Sequence, residues 1–363
     1  MRIMNINILA VLFLGPCFTL DSTGGAFVPS KIEIDALRPS IKVGEPFVFR
    51  LTYTFEEPVV SERTQGIVKE IWHSAYFRLV REDNGSLLGR YRVYDVTLKL
   101  QDEQGLEYAE NFMVFYDWGK KKLMFDKSGT YTMQVEGKTK KANPLTINVG
   151  PASKADKRAI VLLSEPEDYL FLIWGLVESS ERAKRIARFK EVVSKCETTV
   201  LAKMAAACLG LEYFKDFHRK HPSFEEFKAK RKQAVAEEPL FDVAWKYLRM
   251  GAKLPDDFPI REKVLRMLVT TEWVTGNYEK VYSLLDELET KYPHGIYGKQ
   301  VPNVRMELRE LKKREMEQSQ QAKMKQAKGG GLLAVVVQVA IGIFVVALVL
   351  VLWLKKKRSS CSK

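Results

Sequence analysis

The spacing of apolar residues changes near residue 150, and this change constrains the fold more than any other feature of the chain. In the first half apolar and polar residues alternate, as they do around Phe47, Phe49 and Leu51. A period of two predicts strands that bury one face. After a polar linker, residues 150–157, apolar residues recur every three or four positions, which predicts helices. We therefore expect a strand-rich first half and a helix-rich second half.

The first half contains several predicted short strands between Val28 and Val149. Asp83-Asn84-Gly85 has the residues of a tight hairpin turn between two of them. About seven or eight short strands at this spacing are typical of an antiparallel β-sandwich. The sequence therefore predicts an all-β domain here.

The segment from Asp126 to Tyr131 resembles the corner that leads into a late strand of immunoglobulin-like domains. The resemblance implies that the Tyr131 hydroxyl bonds to the backbone at this corner and has a structural role. Met133 stands where antibody domains keep a cysteine, so an intersheet disulfide is not expected. The resemblance covers residues 28–150 and implies an immunoglobulin-like sandwich.

Two stretches of the second half resemble tetratricopeptide repeats. The first is Leu209-Gly210-Leu211-Glu212-Tyr213, within a predicted helix. The second runs from Gly276 to Val281 and is closed by Pro293. The family's small-residue position falls on Gly210 and Val269, which are 59 residues apart and so do not fit a regular array. The resemblance implies an irregular all-α helical-repeat domain.

In that family, peptides lie along a groove formed by the first helices of the repeats. The resemblance places four residues of the second repeat on this groove: Lys263, Arg266, Thr270 and Trp273. Two cations beside an aromatic side chain are suited to hold an acidic side chain or a terminal carboxylate. The alternative is that Trp273 packs within the hairpin and that the cations are only solvated.

A helix predicted to start at Ser180 carries Ala183, Ile186, Ala187 and Val193 on one apolar stripe. Its other faces hold basic residues, including Arg185 and Arg188. A basic face of this kind is typical of a solvated surface, with polyanion binding as the alternative. We therefore expect these arginines to face water.

Two apolar segments lie at the ends of the chain. Arg2, followed by the apolar run from Ile8 to Leu14, predicts a signal peptide over residues 1–26. Leu332 to Leu354 gives 23 mostly apolar residues, enough to cross a hydrocarbon core of about 30 Å. The basic run that follows, residues 355–358, favours the cytoplasmic side. These features predict a single-pass membrane protein with its N-terminus outside, a periplasmic or extracellular ectodomain and a short cytoplasmic tail.

The chain has four cysteines. Cys17 lies in the predicted signal peptide, where lipidation is an alternative to ordinary cleavage, and Cys361 lies in the predicted tail. Cys196 and Cys208 fall in helical pattern, and a turn between their helices is needed to bring them close. Pairing of these two residues and burial as free thiols both stay open.

Sequence motifs for catalysis are missing. The chain has no phosphate-binding loop, no dinucleotide glycine fingerprint, no zinc-protease motif and no nucleophile elbow. His218 and His221 have the spacing of metal ligands, but Arg219 and Lys220 between them oppose a metal ion. We therefore predict no catalytic residues, no metal, no cofactor and no specific nucleic-acid partner; the oligomeric state stays open.

These features predict a multidomain chain with six parts. They are a signal peptide (1–26), an immunoglobulin-like β-sandwich (28–150), a tetratricopeptide-like domain (158–302), a charged helical stalk with a glycine hinge (303–331), a transmembrane helix (332–354) and a basic tail (355–363). The predicted function is membrane-anchored binding or scaffolding of other envelope or surface proteins through a protein or peptide partner. A hydrolase of envelope polymers, with an active site between the two domains, is the alternative. The positive charge that remains in the predicted ectodomain without the basic tail also allows a lipid or polyanion binder.

Overall fold

The computed structural model describes the central part of the chain. The described residues are 29–56, 76–83, 85–92, 99–101, 106–136, 141–174, 181–220, 239–293 and 295–310, followed by 312–314, 316–317, 320–321 and 324. Every statement below refers to these residues. The predicted signal peptide, transmembrane helix and basic tail lie outside them.

The first half forms strands, as the period of two predicts. The strands are β1 (Lys31–Ala36), β2 (Ser40–Lys42), β3 (Phe47–Thr54), β4 (Tyr76–Arg81), β5 (Ser86–Arg92), β6 (Lys99–Gln101), β7 (Glu107–Val114), β8 (Tyr116–Asp117), β9 (Lys122–Leu123), β10 (Gly129–Glu136) and β11 (Leu145–Gly150). They form a four-stranded sheet in the order β1-β3-β7-β6, a five-stranded sheet in the order β2-β11-β10-β4-β5 and the hairpin β8-β9.

Strand β3 shows why this half folds as it does. Phe49, Leu51 and Tyr53 are fully buried, and Arg50 and Thr52 between them are half-buried. Residues of both larger sheets contribute to one hydrophobic cluster, which removes these aromatic rings from water. The predicted hairpin is confirmed, because β4 pairs antiparallel with β5 across a turn in which Gly85 has a φ of 61°.

The bond expected at the corner before β10 is present. The Tyr131 hydroxyl donates to the carbonyl oxygen of Lys127 over 2.7 Å. Burial of Tyr131 is complete, and it raises the pKa of the phenol. Tyr131 therefore fixes the backbone that enters β10.

The helices of the second half begin earlier than predicted. They are α1 (Lys154–Leu162), α2 (Pro166–Trp174), α3 (Arg182–Lys195), α4 (Val200–Lys220), α5 (Pro239–Gly251), α6 (Pro259–Thr275) and α7 (Tyr278–Lys291), followed by a 3-10 turn (Gly298–Gln300) and helical residues 301–310. Residues 154–157, which were predicted as a linker, form the start of α1. The side chains of Ser153 and Asp156 each accept a hydrogen bond from the other's backbone N–H, and this capping box begins the helix.

Close packing of α4 and α5 depends on residues without side chains. A Cβ atom at Gly210 would lie 2.7 Å from the backbone nitrogen of Leu248, and one at Gly251 would lie 2.7 Å from Cα of Ala207. Neither position has room for a methyl group. The two helices therefore approach each other closely where residues 207–210 of α4 meet residues 248–251 of α5.

The strand half and the helical half share side chains. Phe115, Tyr116 and Leu123, at the β8–β9 hairpin, belong to the same hydrophobic cluster as the helices. The ring of Tyr116 stacks on Tyr169 of α2 at 4.8 Å between centroids. The hairpin therefore packs on the helices and not on the sheets from which it emerges.

Arg38 forms a second link between the halves. Its Nε donates to Oδ2 of Asp257 over 2.8 Å, and its Nη2 donates to the carbonyl oxygen of Pro46 over 3.0 Å. The guanidinium group also lies 4.7 Å from the ring centroid of Phe258. One side chain thus connects the β3 entrance to the loop before α6.

The predicted fold class is wrong. The described residues form a mixed helix-and-strand structure with small sheets, and not an all-β immunoglobulin-like sandwich followed by an all-α helical repeat. Two findings explain the error. Strand β2 pairs parallel with β11, so the sheets are not purely antiparallel. The hairpin of the strand half is also part of the helical core, and a period of two does not reveal what a strand packs against.

The predicted membrane topology is also corrected. Among the described residues, no helix combines the length and the apolar composition that crossing a bilayer requires. The single-pass membrane topology, the membrane as a partner and the localisation derived from them are therefore contradicted. The segment 332–354, on which they were based, lies outside the described residues.

Both cysteines within the described helices are free. Cys196 caps the end of α3, and Cys208 lies in the middle of α4; both are buried. Burial raises the pKa of the Cys208 thiol to about 12. These thiols therefore act as small apolar core groups.

Candidate functional site

A cavity of about 660 Å³ opens between α4 and α6. Its walls also include Met113 of β7, residues of α2 and the loop before the 3-10 turn. We call this cavity the helical groove. Its size falls within the range of ligand-binding clefts, which is about 300–1,000 Å³.

Helix α4 provides one wall of the groove. Leu211 and Lys215 are four residues apart and lie on the same face, with Phe214 beside them. The thiol of Cys208, one turn earlier, donates to the carbonyl oxygen of Phe171 over 3.3 Å and so faces into the core. This wall is apolar at its base and carries a cation at Lys215.

Helix α6 provides the opposite wall. Ile260, Lys263 and Met267 recur every three or four residues, so they line the groove from one face of the helix. Pro259 at the start of α6 fixes the first turn, since it has no backbone N–H to satisfy. Methionine has a flexible side chain and adapts to different apolar ligands.

The third wall is a loop that a buried carboxylate holds in place. Oε1 of Glu262 accepts hydrogen bonds from the backbone N–H groups of Tyr297 (2.7 Å) and Gly298 (3.1 Å). A Cβ atom at Gly295 would lie 2.3 Å from the same oxygen, so a side chain there would displace the carboxylate. Ile296 projects from this loop with 58% of its surface exposed. Glu262 therefore sets the position of an apolar wall.

The charges of the groove are unbalanced. Its two carboxylates are already engaged: Glu212 accepts from Nε of Arg182 over 2.9 Å, and Glu262 holds the loop. Lys215 and Lys263 are exposed, and within the part of the chain that the structure describes they form no hydrogen bond or ion pair. The groove therefore presents two available ammonium groups above an apolar base.

Only one of the four predicted site residues lines the groove. Lys263 does, whereas Arg266 donates from Nη1 to Oγ1 of Thr270 over 2.9 Å, one turn further along α6. Burial lowers the pKa of Arg266. Trp273 is half-buried near the end of α6. Of the four residues, Lys263 therefore lines the groove, and Arg266, Thr270 and Trp273 do not.

Most of the groove was not predicted from the sequence. Lys215 and Leu211 belong to the helix that the Leu-Gly-x-x-Tyr stretch marked, and their spacing of four was the available signal. Met113 and Ile296 gave no local signal, because their contribution depends on tertiary packing of β7 and the loop against the helices.

A second cleft, of about 490 Å³, lies between the strand half and the helical half. Its charged side chains are already paired: Asp257 with Arg38, and Asp256 with Lys291 at 2.7 Å. Burial raises the pKa of Asp257 despite the nearby arginine. The pairing of Asp256 and Asp257 with cations favours a structural role for this cleft, as a junction between the two halves. The hydrolase alternative, which placed an active site between the halves, stays a prediction.

Within the described residues, no group of three or more His, Cys, Asp or Glu side chains is arranged to hold a metal ion.

No protein-family model matches the chain. No curated protein sequence matches it. Among solved structures, the chain is similar to the adhesin InvE of Yersinia pseudotuberculosis, with 16% identity over 36% of this chain and 30% of that chain, at a TM-score of 0.19. The match thus spans less than a third of the adhesin, and a likeness at this TM-score carries no argument about fold or function.

Proposed function

We propose that the helical groove binds an extended segment of a partner protein, so that the chain serves as a protein-binding or scaffolding module. The observation that carries this proposal is the pair of available lysines, Lys215 and Lys263, in a mostly apolar lining whose two carboxylates are engaged elsewhere. Apolar clefts with a few convergent polar groups are typical binding sites, since the apolar part supplies affinity and the polar part orientation.

The chemistry of the lining defines the ligand. Leu211, Ile260 and Met267 form a base suited to one or two apolar side chains, and exposed Ile296 covers them from the loop side. A carboxylate of the ligand pairs with the lysine ammonium groups, because the carboxylates of the groove are engaged elsewhere. The expected ligand is therefore a peptide segment that combines apolar and acidic residues.

The arginines of the helical half support this assignment by contrast. Most of them have a carboxylate partner: Arg182, Arg185, Arg188, Arg249, Arg261 and Arg305. These cations therefore serve the fold itself. Lys215 and Lys263 form no ion pair or hydrogen bond within the described residues, which leaves them available for a ligand.

Reversal of both groove charges tests the proposal. The probe is a pool of short fluorescein-labelled peptides that combine a leucine with glutamates, and binding is measured by anisotropy. The Lys215→Glu/Lys263→Glu variant is expected to bind this pool about 10- to 100-fold more weakly, because two attractions become repulsions. A pool with lysines in place of the glutamates is expected to bind this variant better than the wild type.

The matched control is Lys312→Glu/Lys313→Glu, which reverses two exposed charges on the helix after residue 301. It is expected to bind the acidic pool like the wild type. Equal binding of the acidic pool by the wild type and the groove variant would contradict the proposal, as would equal losses in the groove variant and the control. Circular dichroism of all three proteins confirms that they are folded.

A further inference from the structure

The apolar part of the helical groove has a composition that is suited to contact an aromatic ring. Two thioethers, those of Met113 on β7 and Met267 on α6, line the groove from different elements. Three aromatic side chains belong to the same lining: Phe214, Phe258 and Tyr297. Sulfur atoms and aromatic rings both interact more favourably with an aromatic ring than apolar burial alone predicts.

Met113 reaches the groove because a strand alternates its faces. Its neighbours on β7, Phe112 and Val114, are buried in the hydrophobic cluster of the two sheets. Met113 packs instead against the helical cluster and is half-buried. Its side chain therefore keeps surface on the side of the groove, which it lines.

Met267 is not needed to fill the core beneath α6. Val264, Leu265 and Leu268 of the same helix are buried and pack in the helical cluster. Met267 is half-buried and lines the groove one turn after Lys263. Aliphatic side chains thus form the core face of α6, and the thioether keeps surface available for a ligand.

The aromatic side chains surround the groove from three other positions. Phe258 is fully buried, and the guanidinium group of Arg38 lies 4.7 Å from the centroid of its ring. Phe214 on α4 is half-buried, and so is Tyr297 at the start of the 3-10 turn. Rings favour edge-to-face or offset contacts with other rings, so a ligand ring that enters this lining gains such contacts.

We propose that the apolar anchor of the ligand is an aromatic side chain, so that the groove selects acidic segments with a phenylalanine over those with a leucine. The thioethers of Met113 and Met267 are suited to contact the edges of such a ring. Lys215 and Lys263 pair with the neighbouring carboxylates, as for any acidic ligand of the groove. This inference rests on the proposed function, because it assigns the apolar residue of the same peptide ligand.

Burial of apolar area alone predicts a different order of affinities. Cyclohexylalanine is close to phenylalanine in size, and its saturated ring is more hydrophobic. Burial alone therefore predicts that a cyclohexylalanine peptide binds as tightly as a phenylalanine peptide, or more tightly. Contacts with sulfur and with other rings require an aromatic ring and predict the opposite order.

The test compares three fluorescein-labelled peptides that carry phenylalanine, cyclohexylalanine or leucine at one position between glutamates. Anisotropy with the full chain is expected to show that the phenylalanine peptide binds about 3- to 10-fold more tightly than the cyclohexylalanine peptide. The Met113→Leu/Met267→Leu variant conserves apolar volume. It is expected to lower this ratio to about twofold or less, because both sulfur atoms are removed. Its affinity for the leucine peptide is expected to be retained, which also shows that the variant is folded.

The matched control is Met306→Leu/Met316→Leu, which changes two methionines that are more than half exposed and do not line the groove. It is expected to keep the wild-type ratio. An equally lowered ratio in the control, or an unchanged ratio in the groove variant, would overturn the inference. Binding of all three peptides without a preference for phenylalanine over cyclohexylalanine would overturn it too and leave the proposed function standing. Absence of binding by all three peptides would contradict the proposed function itself.

Discussion

The Asp168→Ala variant is expected to unfold at lower urea concentration, with a loss of about 3–5 kcal/mol in the free energy of unfolding. Asp168 is completely buried in α2, and its Oδ1 accepts from Nη1 of Arg185 over 3.0 Å. Its Oδ2 accepts from Arg188. Burial removes water from the guanidinium group of Arg185, and the carboxylate of Asp168 compensates for this loss of hydration. Without the carboxylate, the buried positive charge is only partly compensated, which lowers the free energy of unfolding.

The surroundings of Arg185 limit the loss. Its Nη2 also donates to Glu181 over 3.0 Å, and its Nη1 lies 3.5 Å from Glu165. Both carboxylates are more exposed than Asp168, so water screens them and they replace only part of the interaction. We therefore expect the loss to fall toward the lower end of the range.

The control for this prediction is Glu191→Ala. Glu191 forms an exposed ion pair with Lys195 on the next turn of α3. Water screens exposed pairs of this kind, so the control is expected to change stability little. Equal and small effects of Asp168→Ala and Glu191→Ala would contradict the view that the buried ion cluster holds α2 against α3.

The Glu262→Ala variant is expected to lose about 2–4 kcal/mol of stability, because it removes the acceptor for the backbone N–H groups of Tyr297 and Gly298. The same change releases the loop that carries Ile296, so affinity for the leucine–glutamate peptide pool is expected to fall as well. Urea denaturation measures the first effect, and peptide anisotropy measures the second.

The Glu262→Gln variant separates the acceptor from the charge. Its amide oxygen can accept both hydrogen bonds, so the groove and its peptide affinity are expected to be retained. Burial raises the pKa of Glu262 above its ordinary value of 4.5. Its contribution to stability is therefore greatest below about pH 4.5 and decreases as pH rises through the folded-state pKa. Relative to the wild type, Glu262→Gln should become more stable as pH increases from 4 toward neutrality.

Two results would contradict this account of Glu262. One is loss of peptide binding in both variants at unchanged stability, which would indicate that the charge itself contacts the ligand. The other is unchanged stability of Glu262→Ala, which would mean that the loop does not depend on this acceptor.

Local sequence patterns were sufficient to predict many of the strands, turns and helix starts. The alternation in β3, the turn at Gly85 and the bond of Tyr131 depend on neighbours in sequence, so the sequence predicts them. The starts of α6 and α7 follow from Pro259 and from Asn277, whose side chain accepts from the backbone N–H of Lys280. Interactions within a few residues carry enough information for such elements.

Helix α3 shows where local pattern fails. Of the predicted apolar stripe, Val193 is buried and Ile186 is half-buried, but Ala183 and Ala187 are exposed. Arg185, which was predicted to be solvated, is buried. The buried face instead contains Phe189 and Val192. The helical pattern classes arginine as polar and therefore predicts that it is exposed. The pattern contains no information about Asp168, on another helix, which pairs with Arg185.

The site was predictable only in part. The resemblance to tetratricopeptide repeats placed Lys263 on a groove, and Lys263 lines the helical groove. The other three residues placed beside it, Arg266, Thr270 and Trp273, do not line this groove, and Arg266 donates to Thr270 instead. Met113 and Ile296 enter the groove through contacts between distant segments, which no periodicity encodes.

The central claim is that the helical groove holds an apolar and acidic peptide, and photo-crosslinking tests it most directly. The probe is a glutamate-containing peptide in which benzoylphenylalanine replaces the leucine; this group reacts readily with methionine. Mass spectrometry of the product is expected to place the crosslink at Met113, Met267 or Ile296, which line the groove. Crosslinks found mainly at Met306, which is 57% exposed and outside the groove, would contradict the claim.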